Sequence, residues 1–161
     1  MQPFEKRQNR VTTMNALPAN TPCYVLLDGK QRLAPQLIAP DSGPAFVAIY
    51  GFSDKQPYDL FIADSKLALT PYPLVKGYLK NQIAESSDVI HLVVLDAGGP
   101  NESPLNAATM DSVLQAQQQD ANQVSVSFRL TLDGDAKAYR VEKASSCLDE
   151  TNRSVQTQGT S

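Results

Sequence analysis

The chain has no tryptophan, a single histidine and two cysteines among its 161 residues. One histidine, His91, cannot assemble a metal centre without further ligands. Neither Cys23 nor Cys147 stands at ligand spacing to it, and no CxxC is present. No metal and no cofactor are therefore expected. The chain also lacks the glycine patterns that cradle phosphates, GxGxxG and GxxxxGK[ST], and the GxSxG and HExxH signatures of hydrolases. No apolar run approaches the ~20 residues that cross a bilayer, which predicts no membrane partner. Lys and Arg number 14 against 17 Asp and Glu, a net charge of −3, so the basic stripe of a nucleic-acid surface is missing and no nucleic-acid partner is expected. The first twenty residues carry scattered charge and no continuous apolar segment, unlike a secretory leader. The expectation is a cytoplasmic protein with free thiols rather than a disulfide.

What is present is a real core. Apolar residues make up 42% of the chain, enough for one domain, and 11 prolines point to many bends. Polar, aperiodic ends predict a flexible N-terminal arm over 1–20 and a disordered C-terminal tail over 147–161, leaving one globular domain over 21–146. Cys23–Leu27 reads as a strand closed by the hairpin signal Asp28–Gly29. The return strand, Gln31–Ala39, contains Pro35 and must be short, bulged or at an edge. Ala45–Tyr50 is a second buried strand. Ser53 with Gln56 has the form of a capping box, predicting a helix around 54–64 with Tyr58, Phe61 and Ile62 on one face. A brief strand over Leu67–Thr70 follows. Pro73 can open a second helix with the stripe Leu74, Val75, Tyr78, Leu79 and Ile83. Ser103 and Pro104 can start a third, with Leu105, Met110, Val113 and Leu114 inward.

Val124–Leu132 alternates strictly, and Asp133–Gly134 reads as a two-residue hairpin turn that sets Leu130 opposite Lys137 and Phe128 opposite Tyr139. The fold class that emerges is α/β of the mixed, α+β kind. It has a single mixed sheet of five to seven strands with about three helices, and antiparallel hairpins at both ends of a central β-α-β-α-β block.

Asp88–Pro100 is the most informative stretch. Val89–Leu95, interrupted only by His91, reads as a strand buried on both faces, central in the sheet, and it runs into Asp96, Gly98 and Gly99. A strand, a glycine turn and a following helix can present N–H groups to an anion, and α/β folds place ligands at such strand ends. Asp96, Gly98, Gly99 and His91 are thus the ligand-loop candidates. The competing reading is a plain turn, with His91 as a packed, hydrogen-bonded core imidazole. Phe52, Tyr58 and Tyr72 fall near element ends and are candidates for an exposed partner surface. Cys23 reads as a core thiol, whereas Cys147, beside Ser145 and Ser146, could be exposed and oxidisable. Asp133 and Asp135 flank a glycine as calcium ligands do, but the rest of that loop is missing and a hairpin turn accounts for them.

Residues 45–100, AFVAIYGFSDKQPYDLFIADSKLALTPYPLVKGYLKNQIAESSDVIHLVVLDAGGP, resemble the N-terminal domain of the SseB (enhanced serine sensitivity) family in the order of their elements. Gly51-Phe52-Ser53 stands at its first strand–helix junction and Asp96–Gly99 at its closing turn, without the Asn-Pro of that family. The resemblance implies a bacterial, non-enzymatic accessory or interaction module and carries over no catalytic residue. The function expected first is therefore a small soluble protein-interaction module of regulatory, immunity or secretion-accessory type, with another protein as its partner and its oligomeric state left open. The alternative is a small-molecule-binding protein or enzyme working at the Asp96–Gly99 edge.

Overall fold

Thirteen elements follow one another in the computed structural model, which describes residues 17–85 and 88–144. They are β1 (Leu17–Asn20), β2 (Tyr24–Asp28), β3 (Gln31–Arg32), β4 (Ala45–Gly51), α1 (Lys55–Ser65), β5 (Leu69–Pro73), α2 (Lys76–Glu85), β6 (Val89–Leu95), β7 (Leu105–Thr109), α3 (Met110–Gln118), β8 (Gln123–Val126), β9 (Phe128–Asp133) and β10 (Ala138–Lys143). The result is an α+β fold. The strands make three hydrogen-bonded sheets rather than the single one expected. Five form the frame in the order β10-β9-β7-β6-β4, three are ordered β3-β2-β5, and β1 pairs with β8. Leu17–Asn20 is thus part of the folded unit and not of a flexible arm. Cys147 and the expected tail lie outside the described residues.

The frame follows from β6. Leu92 and Val94 point to one face and Val93 and Leu95 to the other, and all four are buried, as a doubly covered strand requires. β4 runs parallel beside it, Ala45 opposite Val89 through Gly51 opposite Leu95. β7 lies antiparallel on its other side, so β6 is interior but the middle place belongs to β7. Burying each such aliphatic side chain contributes ~1.5–3 kcal/mol. On one face α1 docks through Phe61, whose ring centroid lies 4.8 Å from that of Tyr50 and 5.4 Å from that of Phe52. On the other, Leu79 of α2 and Val113 and Leu114 of α3 join Ile49, Val93 and Leu95 in a second core.

The central β-α-β-α-β block is present, but its middle strand leaves the frame. β5 pairs antiparallel with β2 instead, so β4 and β6 become direct neighbours. Leu74 N–H donates to the Cys23 carbonyl (2.9 Å), which makes Val25–Tyr72 and Leu27–Thr70 the hydrogen-bonded pairs of that ladder. Pro71 and Pro73 therefore occupy the positions whose N–H would point outward, where a missing donor costs the ladder nothing. Pro73 ends this strand rather than opening α2, which begins at Lys76. Leu79 of the expected stripe is buried, whereas Val75 is exposed.

Three further expectations change. Leu105–Thr109 is strand β7, not helix. Pairing with β6 and β9 overrides its weak strand propensity, and α3 starts only at Met110, where Thr109 Oγ1 accepts from Ser112 N–H at 3.1 Å. The Val124–Leu132 run breaks at Ser127, where the chain passes from β8 in the small sheet to β9 in the frame. The last hairpin closes through Gly134–Lys137, so Leu130 faces Val141 and Leu132 faces Tyr139. The Asp133 carboxylate accepts from the N–H groups of Asp135 (3.0 Å) and Ala136 (3.2 Å), and Lys137 takes a left-handed φ of 56°. These longer-turn contacts displace the two-residue turn. The register moves by an even number of residues, so the apolar face is unchanged.

Residues 33–38, with Pro35 at their middle, strap the frame together. Tyr50 N–H on β4 donates to the Leu33 carbonyl (3.1 Å), and Ile38 N–H donates to the Tyr139 carbonyl on β10 (2.8 Å). Both outer strands of the frame are thereby engaged.

Gly51 closes β4 against this core. A Cβ there would collide with Val93 Cγ1 and meet Pro22 Cβ at 3.0 Å. Gly51→Ala should lower stability by about 1–3 kcal/mol through overpacking, measured as a lower urea midpoint with an unchanged slope.

Candidate functional site

β4 and β6 end side by side, and their exits are joined before either chain turns away. Asp96 follows β6 in a left-handed conformation (φ 47°), and its N–H donates to the Gly51 carbonyl at 2.9 Å. Its carboxylate accepts from the Ser53 N–H and from the Ser53 hydroxyl, each at 2.7 Å. Ser53 is thus not the helix cap that the capping-box pattern predicts. Asp54 caps α1 in its place, with its carboxylate accepting from Lys55 N–H at 2.7 Å.

The glycines beyond Asp96 are equally committed. Gly98 N–H donates to the Glu102 carboxylate, and Gly99 is buried against the Asp64 carboxylate, where a Cβ would not fit. Tyr139 Oη donates to the Glu102 carbonyl (2.7 Å) and sits 3.1 Å from that of Pro100. The loop is therefore braced from three sides, and Asp64, Asp96 and Glu102 give it negative charge. A nest for an anion needs free N–H groups and the opposite charge. Asp96 and Glu102 instead border a hollow of about 390 Å³.

His91 does not join this loop. It lies mid-strand opposite Val47, half-buried, and both imidazole nitrogens are buried without a hydrogen-bond partner. The hydrogen-bonded core imidazole expected from sequence is not what is found. The three aromatics do not form one surface either. Phe52 is fully buried, since its N–H and carbonyl pair with Tyr24 and its ring packs on Phe61. Tyr58 is half-buried, edge-on to Tyr24 at 5.3 Å, and of the three only Tyr72 is exposed.

The site that sequence reasoning missed opens on the other side of Ser53. A cleft of about 980 Å³ lies between the β1–β2 bend, the start of α1, the start of α2 and the end of α3. Cys23 lines it, exposed rather than in the core, because it sits in the bend before β2 begins at Tyr24, outside the strand that buries Val25 and Leu26. Thr21 fixes that bend, its hydroxyl donating to the Ala121 carbonyl at 2.8 Å. Gln117 ties α3 to both neighbouring segments, its Nε2 donating to the carbonyls of Leu74 (3.1 Å) and Pro22 (3.4 Å). Four segments distant in sequence meet here, so no local motif marks the place. The one available signal was a cysteine just ahead of an apolar strand.

The chemistry of the cleft's thiol is set by burial and by two nearby carboxylates. Burial, followed by the charges of Asp54 and Asp96, pushes the Cys23 thiol above the ordinary thiol range. A nucleophilic cysteine needs the reverse, a positive environment that holds the thiolate. No cluster of three or more His, Cys, Asp or Glu able to hold a metal ion occurs among the described residues. Comparison with protein families, curated proteins and solved structures finds no match for this chain.

Asp96→Ala should destabilise the fold by about 1–3 kcal/mol, because the partly buried Ser53 N–H and hydroxyl lose their acceptor. Asp96→Asn, which keeps one acceptor oxygen, should lose less, and paired denaturation curves compare the two. With Cys147→Ser as background, Cys23 should react with iodoacetamide more slowly than free cysteine at pH 8. Asp54→Asn should then raise the rate roughly twofold by removing a charge that disfavours the thiolate.

Proposed function

We propose that this chain is a small, non-catalytic interaction module of accessory or regulatory type, and that it takes a segment of a partner protein into the cleft beside Cys23. The cleft itself carries the reading. Leu74 lies buried in its wall and Val75 stands 44% exposed beside it, with Asp54, Gln56 and Lys76 as polar neighbours. An apolar anchor inside a polar rim is the usual anatomy of a protein-binding site. Burial and the charges of Asp54 and Asp96 push the Cys23 thiol above the ordinary thiol range, which favours binding over covalent chemistry. The accessory role implied by the SseB-like order of elements points the same way. A net charge of −3 favours a protein over a nucleic acid as partner. No helix among the described residues is long and apolar enough to cross a membrane, and a free Cys23 thiol suits the reducing cytoplasm.

A second reading, a small-molecule binder, draws on the hollow beside Asp96 and Glu102. The two separate on one experiment. A photo-crosslinker attached to Cys23 should capture a defined protein from cells of the source organism. Val75→Asp should reduce that capture roughly tenfold, as loss of a central apolar anchor does, while Glu142→Lys on distant β10 leaves it unchanged. Equal capture by the Val75→Asp protein overturns the cleft as the docking site.

A further inference from the structure

Arg32 ends the two-residue strand β3, yet its guanidinium is held firmly. Its Cζ lies 3.7 Å from the ring centroid of Tyr78 on α2 and 6.0 Å from that of Tyr72 on β5. Stacked on one tyrosine and flanked by a second, the guanidinium is oriented before any ligand arrives. Among the described residues no carboxylate forms an ion pair with it, and its Nε is buried without an acceptor. Asp28, close in sequence, is paired with Gln31 in the register and belongs to the opposite face of the strand. Glu85 acts on Tyr78 through its charge but is not bonded to Arg32. Tyr72, beside the guanidinium, is 45% exposed.

We infer that the Tyr72–Arg32–Tyr78 stack is a seat for one carboxylate of an acidic segment of a protein partner. A guanidinium fork matches a carboxylate in two parallel hydrogen bonds. A single oriented cation suits a single negative group, whereas a membrane surface or a nucleic acid is held by several cations together. The exposed ring of Tyr72 gives the residue next to that carboxylate an apolar surface. The seat and the cleft share one stretch of chain, since Leu74, Val75 and Lys76, which line the cleft, lie in sequence between Tyr72 and Tyr78. The identity of the occupant as a protein rests on the function proposed above; the choice of a carboxylate rests on Arg32 alone.

The probes are a blocked pentapeptide with one glutamate between leucines and its glutamine counterpart, each titrated into the full chain and followed by amide chemical shifts. The glutamate peptide should shift the signals of Arg32, Tyr72 and Tyr78 and bind roughly tenfold more tightly than the glutamine peptide. Arg32→Gln should erase that preference. Arg32→Lys, which keeps the charge but loses the fork and the stack, should recover only a small part of it. Glu85→Gln should leave the preference intact or enlarge it. Equal binding of the two peptides by the unaltered protein, a comparison that needs no variant to fold, overturns the seat. So does a preference that survives Arg32→Gln, or tighter binding of anionic lipid vesicles than of the glutamate peptide. Loss of partner capture in Val75→Asp with no charge preference in the peptides would leave the cleft standing and remove the seat; the converse pattern would do the reverse.

Discussion

Two parallel strands cannot be joined by a tight turn, and the pairing of Ala45–Gly51 with Val89–Leu95 imposes its requirements on everything between and around them. The crossover must carry the chain back along the sheet, and it does so with two helices and a strand. Since β6 is apolar on both faces, each face needs a cover. α1 takes one with Phe61, and α2 takes the other with Leu79. The parallel arrangement also brings two strand exits together, at Gly51 and Leu95. There the chain leaves two bends that would otherwise part, and the Asp96 carboxylate holds them through Ser53. The clasp and the cleft lie on either side of Ser53, and both are consequences of that one pairing.

The parts legible in the sequence are those written in a local pattern. Val89–Leu95 announces a doubly buried strand because nearly every residue is apolar. Asp28–Gly29 announces a hairpin because the turn needs a positive φ, which Gly29 adopts at 68°. Leu105–Thr109 was hidden because Ser103 and Pro104 look like a helix start and Leu-Asn-Ala-Ala-Thr has little strand character. Its conformation is decided by β6 and β9, distant in sequence. The Asp133–Gly134 dipeptide suggests a two-residue turn because such a signal does not record that the Asp133 side chain binds two further N–H groups. In each case a tertiary or side-chain contact outweighed the local preference.

The candidate site divides along the same line. The Asp96–Gly99 loop stands at a strand end, as its position in the sequence suggests, but its polar groups are spent on Gly51, Ser53 and Glu102, and His91 lies apart from it. Phe52 looked like a surface aromatic because it ends a strand. The bridge to Tyr24 carries it instead into the core. The cleft had no signature because Thr21, Cys23, Leu74 and Gln117 are brought together only when β2, β5 and α3 are in place. Arg32 carries no local signature either, since its meaning depends on two tyrosines from other elements and on there being no ion-paired acid beside it among the described residues.

The two prolines of β5 bear on how such a protein keeps to itself. Pro71 and Pro73 face outward, and the remaining outward N–H, that of Leu69, is bonded to the Leu67 carbonyl. The free margin of that sheet therefore offers carbonyls and no donors, and a neighbouring strand would find only half of the bonds it needs to extend the sheet. The strap over 33–38 does similar service at both outer strands of the frame. Recognition at β5 is thereby left to side chains, which discriminate among partners, rather than to backbone, which accepts almost any extended chain. A crowded compartment full of unpaired strands is the setting in which that distinction counts.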